Sequence, residues 1–385
     1  MSPEKSSHFR VAIIGAGPAG SACALALVQR GVSDVVLIEA SDFSQFCIGE
    51  SIPPESLRLF QSLEIDQAFL REGHAPCYGS CSYWGSEKRG YNDHLLNPLG
   101  HGWHLDRRKF NQFLARQAQI RGVDLRINTT LKEVVTTASS AYELHLATQT
   151  AGISGHSQIY ADFVIDASGS RAVFARKCGS QKLRAEALIC LARRFSIKDA
   201  QLEKNGLTHL EAVQHGWWYA ANLPDKTLLL ALYSDAETIK RLQLQQVHAW
   251  EAQLALAPHT HQLARSGKPL SAHILSYPAP VYCLDQLHGA NWLAIGDAAS
   301  ACDPLTSQGI YKAISNAIAA ADVIVNKREI HEFSHSIRTQ YQQYLATCQH
   351  YYRLEQRWPE APFWQKYHAS ITPMQMPLLP HAQPV

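Results

Sequence analysis

At 385 residues the chain is long enough for one large or two intermediate domains with a sizeable core. Its 46% hydrophobic and 18% charged residues describe an ordinary globular protein. Thirty-five Lys and Arg against 33 Asp and Glu leave a formal charge of +2, too small a bias to point to nucleic acid or an anionic membrane as partner. No uninterrupted apolar run approaches the roughly 18 residues that suggest a membrane span. The first ten residues, with Glu4 and Lys5, do not read as a signal peptide, so the expected location is cytoplasmic. Nine cysteines are scattered without a CxxC pair and read as reduced thiols, with no metal centre expected.

The first element is an apolar strand at residues 11–14, followed by Gly15, Ala16, Gly17, Pro18, Ala19 and Gly20, then a helical pattern over 21–30 that Gly31 ends. A second apolar strand, 35–38, leads to Glu39 and Ala40. A lone GxGxxG is weak, but strand, helix, strand and acidic residue are all in place around this one. Gly15 permits the tight turn, Gly17 lets backbone approach a pyrophosphate, and Gly20 allows close packing of helix on strand. The helix N-terminus offers N–H groups to the phosphates, and Glu39 would accept from a ribose. The alternative is a structural turn that binds nothing.

Next comes Cys47-Ile48-Gly49-Glu50-Ser51-Ile52-Pro53-Pro54, where Ser51 could also cap a helix over 55–63. Residues 76–100 are rich in Gly, Tyr and Ser. His101 and His104 then stand three apart, without further ligands at zinc spacing; the alternative is that they face a substrate cavity. A helix begins near Asp106, with Phe110, Phe113, Leu114 and Ile120 at helical spacing, and stops at Gly122. Residues 163–169 form an apolar strand ending in Asp166, Ala167, Ser168 and Gly169. Strand-like runs at 187–195 and 227–233 suggest an antiparallel sheet. In the aromatic segment 216–224, a strand would put Trp217 and Tyr219 on one face and Trp218 on the other. Residues 237–265 and 330–370 look helical. A strand at 292–297 ends in Gly296 and Asp297, followed by a loop with Pro304, Thr306, Gln308 and Gly309 and a helix over 311–324. The tail from Pro373 looks extended.

The glycine turn, the IDASG strand end and the IGDAA strand end, in this order, resemble the FAD monooxygenases of the aromatic hydroxylase and flavin-dependent halogenase superfamily. That resemblance implies an α/β fold: a Rossmann-like FAD-binding domain at 8–75, 101–180 and 280–330, an interleaved antiparallel-sheet substrate domain at 76–100 and 181–279, and a helical C-terminal segment with an extended tail at 331–385. It implies FAD contacts from Gly15, Gly17, Pro18, Ala19, Gly20, Glu39, Ala40, Gly49, Arg107, Ala167, Gly169, Gly296, Asp297, Gly309 and Ile310. Glu50, Ser51, Pro304, Gln308 and Gly309 would lie at the flavin ring as catalytic residues, with Trp217, Tyr219, His101 and His104 lining the substrate pocket. NAD(P)H or externally supplied reduced flavin would be the reductant, and molecular oxygen the co-substrate.

Three departures set the chain apart from the halogenases it resembles. No lysine occurs from Ala75 to Trp84, Thr306 stands where tryptophan halogenases carry a glutamate, and their WxWxIP segment is here Gly216-Trp217-Trp218-Tyr219-Ala220-Ala221-Asn222-Leu223-Pro224. Without that lysine, a flavin C4a-hydroperoxide would pass its distal oxygen directly to an electron-rich ring. The order of CIGESIPP, GWWY and DPLTSQGI is similar to the flavoproteins that hydroxylate a Trp of a partner quinoprotein precursor in tryptophylquinone biogenesis, the partners of glycine oxidase and lysine oxidase. Indole needs no deprotonation to be electron-rich, and no general base stands out. Other readings are a halogenase or hydroxylase of a small aromatic molecule, a flavin-dependent double-bond reductase, and a non-catalytic FAD-binding chaperone.

Overall fold

The computed structural model describes residues 7–137, 141–150, 153–184, 188–197, 206–265 and 267–369. The residues from Pro373, expected to be extended, lie outside these, as do Glu4 and Lys5.

Apolar runs too short for helices, Val11 to Ile14 and Val35 to Ile38, are buried on both faces, as strands covered by helices on either side must be. They lie in the parallel core of an eight-stranded sheet. Ser7–Ile14 pairs in parallel with Val35–Ile38 on one side and Ile153–Asp166 on the other, and the latter pairs in parallel with Trp292–Ala294. Asp124–Arg126 extends the sheet beyond Val35–Ile38. Thr129–Thr136 and Tyr142–Thr150 form an antiparallel arm on Ile153–Asp166. Register places the strand ends level: Ile14 stands opposite both Ile38 and Asp166, and Asp166 opposite Ala294. The residues just beyond, Gly15, Glu39, Ala167 and Gly296, therefore leave the sheet along one carboxyl edge, where open α/β sheets bind ligands.

The helix after the glycine turn is Pro18–Gln29. It starts three residues earlier than the apolar pattern suggests because Pro18 cannot donate and suits the first helical position. Ala19 to Leu27 are all buried, and the small side chains let Gly309–Ile324 and Arg107–Ile120 pack against this helix. Asp106 caps Arg107–Ile120 by accepting from the Lys109 N–H at 3.1 Å. The expected cap by Ser51 is not formed: the helix is Ser56–Ser62, its N-cap Glu55 makes no side-chain cap bond, and Ser51 lies in a short strand, Ser51–Ile52.

A second eight-stranded sheet runs in the order Lys268–Pro269, Leu188–Ser196, Thr227–Asp235, Gly216–Asn222, Thr208–Val213, Gly79–Tyr83, Gly90–Asp93, with Leu275–Ala279 also on Leu188–Ser196. Every residue of Gly216–Asn222 and Thr227–Asp235 is buried, because both faces are covered. Trp218 faces Trp250 and Leu254 of Val247–Ala255. Trp217 and Tyr219 share the opposite face, against aromatic residues of Ile330–Leu354 and Pro362–Ala369. The helix expected over 330–370 is thus two, broken at Glu355, whose backbone is extended. A small sheet, Ser51–Ile52, Gly102–His104 and Ala75–Cys77, bridges the two large ones.

Candidate active site

The carboxyl edge of the parallel sheet opens into a cleft of about 830 Å³. Its floor is the glycine turn. Gly15 has φ +104°, and a Cβ there would stand 2.4 Å from the Ala167 carbonyl oxygen. A Cβ on Gly20 would meet the Gly15 carbonyl at 1.8 Å. Gly17, by contrast, faces open space at the start of a helix whose first N–H groups lack helical partners. Glu39 accepts from the Ala16 N–H at 2.8 Å with one oxygen and from the Ser41 N–H and hydroxyl with the other. The Oε2 oxygen, with one bond, keeps a lone pair for a further donor. Gly17, Pro18, Ala19, Glu39, Ala40, Ala167 and Gly169 all line the cleft, and the open backbone with an acidic residue beside it fits an extended dinucleotide. Gly20 and Gly296 lie behind the wall, Gly296 against the Ala19 methyl, because their place is the packing of helix on strand.

Farther along, the cleft passes Asp297, the segment from Ala301 to Pro304, and Ser307, Gln308, Gly309 and Ile310 at the N-terminus of Gly309–Ile324. Gly309 has nothing within 4 Å of a built Cβ, so a ligand can approach the backbone there. Asp297 is paired with Lys312 at 3.2 Å, and the Lys312 ammonium is also held by the Ser300 carbonyl. Asp303 is buried, accepts from the Leu305 N–H at 2.9 Å and from the Tyr352 hydroxyl at 2.7 Å, and burial pushes its carboxyl up to about 6.

The third wall carries the titratable chemistry. Glu50, Ser51 and Tyr219 all line the cleft. Glu50 is 2% exposed, one of its carboxyl oxygens has no hydrogen-bond partner, and burial, opposed by the nearby Arg107, pushes it up to about 7. At neutral pH this carboxyl is poised between proton donor and acceptor. Arg107 also lines the cleft; it donates to the Ile48 and Gly49 carbonyls at 2.9 and 2.8 Å, bracing the turn that carries Glu50. Its buried Nε has no partner. Gly49, at φ +94°, leaves room for the guanidinium, since a Cβ would lie 2.8 Å from it. Tyr219 donates to or accepts from Ser51 at 2.9 Å.

The other residues expected around the substrate do not line the cleft. Trp217 is fully buried, stacked on Tyr233 at 4.2 Å, with its indole N–H on the Tyr352 hydroxyl at 3.0 Å; the two C-terminal helices fill the space in front of it. His101 packs on Trp103 and Tyr78. His104 sits one layer behind, bonded to Thr208 at 2.9 Å. Conversely, Arg171, residues 129–131 and 278–280, and Gln340, Gln343 and Tyr344 line the cleft without any motif announcing them. Asp303 was visible in the sequence only as a neighbour of the loop proline.

The tryptophan halogenase family model matches residues 10–95 and 87–377. LodB of Marinomonas mediterranea, provisionally described as an FAD-dependent oxidoreductase, is 26% identical over 361 residues, covering 93% of this chain and 96% of LodB. Tryptophan 2-halogenase of Chondromyces crocatus is 25% identical over 320 residues. These cover 82% of this chain but only 60% of that enzyme, so the chain spans about three fifths of such a relative. The fold is that of the flavin-dependent halogenase CmlS, at TM-score 0.82 and 23% identity over 97% of this chain and 69% of CmlS. It is also that of the peptidyl tryptophan dihydroxylase QhpG, essential for tryptophylquinone cofactor biogenesis, at TM-score 0.74 and 22% identity over 94% of this chain and 79% of QhpG. With a match that runs through both sheets and the C-terminal helices, the chain belongs to the tryptophan halogenase family and is an FAD-dependent oxidoreductase of the monooxygenase type.

Proposed function

We propose that the chain adds oxygen to an electron-rich aromatic ring, and that this ring is a Trp side chain of a partner quinoprotein precursor. The carrying observation is the make-up of the reactive wall: a buried, half-satisfied carboxyl at Glu50 beside Tyr219, with no free ammonium nearby. Among the described residues lining the cleft the one lysine is Lys312, already bound by Asp297 and the Ser300 carbonyl. The stretch before Trp84 where the halogenases carry a lysine contains Pro76 and Cys77 here, the latter buried with its thiol on the Gly79 carbonyl at 3.3 Å. The fold shared with QhpG, which acts on peptidyl tryptophan, supports a ring presented by a protein.

FAD, reduced by NAD(P)H or delivered already reduced, supplies the electrons that activate oxygen. The chain's residues do the rest. The Gly17 N–H and the unpartnered first-turn N–H groups that follow Pro18 hold the diphosphate, Glu39 and Ala40 the ribose, and Gly49, Arg107, Ala167, Gly169 and Asp297 the stretch towards the ring system. The N–H groups at Gly309 and Ile310, after Pro304 and Gln308, stabilise negative charge that develops beside them. Glu50, whose pKa burial raises to about 7, can hold a proton at the reacting centre. Tyr219 and Ser51 orient the acceptor ring, and the apolar second sheet excludes water.

Mass spectrometry of a precursor co-expressed with and without the chain tests this. Oxygen added to Trp only in its presence is expected, and a precursor unmodified in both cases refutes it. Halogenation is the second reading, favoured by the family match; a halogen on the ring in chloride or bromide would establish it.

A further inference from the structure

We infer that Tyr352 is a positioning residue: it holds the Asp303 carboxylate ionised in the cleft wall, so that a fixed negative charge stands beside the bound flavin and lowers its reduction potential. The inference rests on FAD lying along the loop that follows Asp303 and is independent of which ring receives oxygen.

Asp303 is 6% exposed and lines the cleft directly before the Pro304–Thr306 turn. It is held at three points. One carboxyl oxygen accepts from the Leu305 N–H at 2.9 Å, the other accepts from the Tyr352 hydroxyl at 2.7 Å, and its backbone carbonyl accepts from the Tyr344 hydroxyl. Tyr344, Cys348 and Tyr352 follow one another four apart along Ile330–Leu354, so one stripe of that helix backs the residue. Behind Tyr352 stands Trp217, whose indole nitrogen lies 3.0 Å from the same hydroxyl.

The chemistry of these partners decides where the protons lie. An indole N–H and a backbone N–H can only donate. Tyr352 is 1% exposed, and Trp217 and Asp303 are the partners of its hydroxyl among the described residues. Asp303 is therefore the acceptor for the Tyr352 proton. With the carboxyl ionised, every one of these groups is satisfied. An added proton on Asp303 finds no acceptor in either partner without stranding theirs in a dry interior. Two donors to one carboxylate favour its charged form. Burial pushes Asp303 up only to about 6 against the Tyr352 and Leu305 bonds, which leaves it charged at neutral pH.

The titratable groups around Asp303 are Cys302 in its own segment, Tyr344, Cys348 and Tyr352 of the helix, and Tyr367 of Pro362–Ala369, stacked on Tyr352 at 4.6 Å. Burial pushes Cys302, Tyr344, Cys348 and Tyr352 upward, so all four stay neutral. Lys312, on the Cys302 thiol at 3.8 Å, is bound by Asp297 and the Ser300 carbonyl. Neutral donors rather than a cation hold the Asp303 charge. It is therefore not cancelled, and it disfavours the electron-rich reduced form of a ring placed beside it.

The test measures the flavin reduction potential of FAD-loaded protein against pH, in a Glu50→Gln background so that the other raised carboxyl of the cleft does not titrate. Asp303→Asn is expected to ease reduction about tenfold at about pH 8, a rise of about 30 mV for two electrons. Tyr352→Phe removes one donor and moves Asp303 upward by about one pH unit. Its potential is expected to approach that of Asp303→Asn near pH 6.5 and to rejoin the parent near pH 9. Trp217→Phe disturbs the same aromatic packing without touching the Tyr352–Asp303 bond and is expected to track the parent. 3-Fluorotyrosine at position 352, a stronger donor of nearly the same volume, is expected to move the profile to lower pH, and it decides the matter if Tyr352→Phe does not fold. An unshifted potential in Asp303→Asn, a Tyr352→Phe offset that persists at pH 9, a fluorotyrosine profile that stays or moves upward, or an equal shift from Trp217→Phe overturns the inference.

Discussion

The two sides of the cleft are built on opposite terms. The nucleotide side is backbone: Gly15, Gly17, Ala167 and Gly169 contribute space and N–H groups, and all of it results from strands ending in register. The reactive side is side chain: Glu50, Ser51 and Tyr219 line it, and Tyr219, Ser51, Thr208 and His104, brought from separate parts of the chain, are joined by single hydrogen bonds. A site that must bind a common cofactor can rely on local geometry, whereas one that must handle a particular ring needs side chains brought together from several elements.

The sharpest way to break the comparison is to fill the backbone side. Gly20→Val would force a Cβ into the Gly15 carbonyl, and no rotamer change relieves a backbone clash. We expect a loss of about 4 kcal/mol or more and protein purified without yellow colour; a variant that retains FAD would disprove the packing role of this turn. Truncating the aromatic support comes next. Trp217→Ala removes a fully buried indole and its bond to Tyr352, at a cost of about 3 to 5 kcal/mol in urea unfolding, while FAD affinity in the folded fraction is retained.

Glu50→Gln probes the reactive side alone. Single-turnover oxygen transfer should fall by about a hundredfold or more, with flavin binding unchanged. The same variant has a pH signature. Burial raises the Glu50 pKa to about 7 from an ordinary 4.5, so the folded chain binds this proton more tightly than the unfolded one. The associated stability is complete below the unfolded value and is lost as pH rises through about 7, to a limit of about 3 kcal/mol. Asp303, raised to about 6, adds a slope of the same sign. Urea midpoints between pH 5 and 8 should fall less steeply in Glu50→Gln than in the wild type; equal slopes would mean the carboxyl is not held neutral. The smallest effect is expected at Gly309, where a methyl meets no protein atom within 4 Å. Gly309→Ala should leave unfolding of the apoprotein unchanged and weaken FAD by about tenfold, and unchanged affinity would remove the cofactor from this helix end.

Much of the nucleotide side was readable from the residues alone. The glycine turn, Glu39, and the strand ends at Asp166 and Asp297 each carry their own local signal, because a tight turn, a close approach and a strand terminus are properties of a few adjacent residues. The aromatic segment 216–224 was readable as a strand with Trp217 and Tyr219 on one face, since alternation is also local. Which of the two reaches the cleft was not: the C-terminal helices cover Trp217 and leave Tyr219 beside Glu50. His101 and His104 looked equivalent, and only packing made one of them a ring against Trp103 and the other a buried hydrogen-bond partner of Thr208.

By itself the order of residues determined the dinucleotide turn, the strand ends that converge on it and the class of cofactor, because these depend on contacts between near neighbours and on backbone geometry. Tertiary structure alone decided the burial of Glu50, the place of Tyr219 in the cleft wall and the hydrogen bonds that join it through Ser51 to Thr208 and His104. Each is a property of burial and of partners up to 168 positions apart, and neither desolvation nor a hydrogen bond across such a span is written in any local pattern.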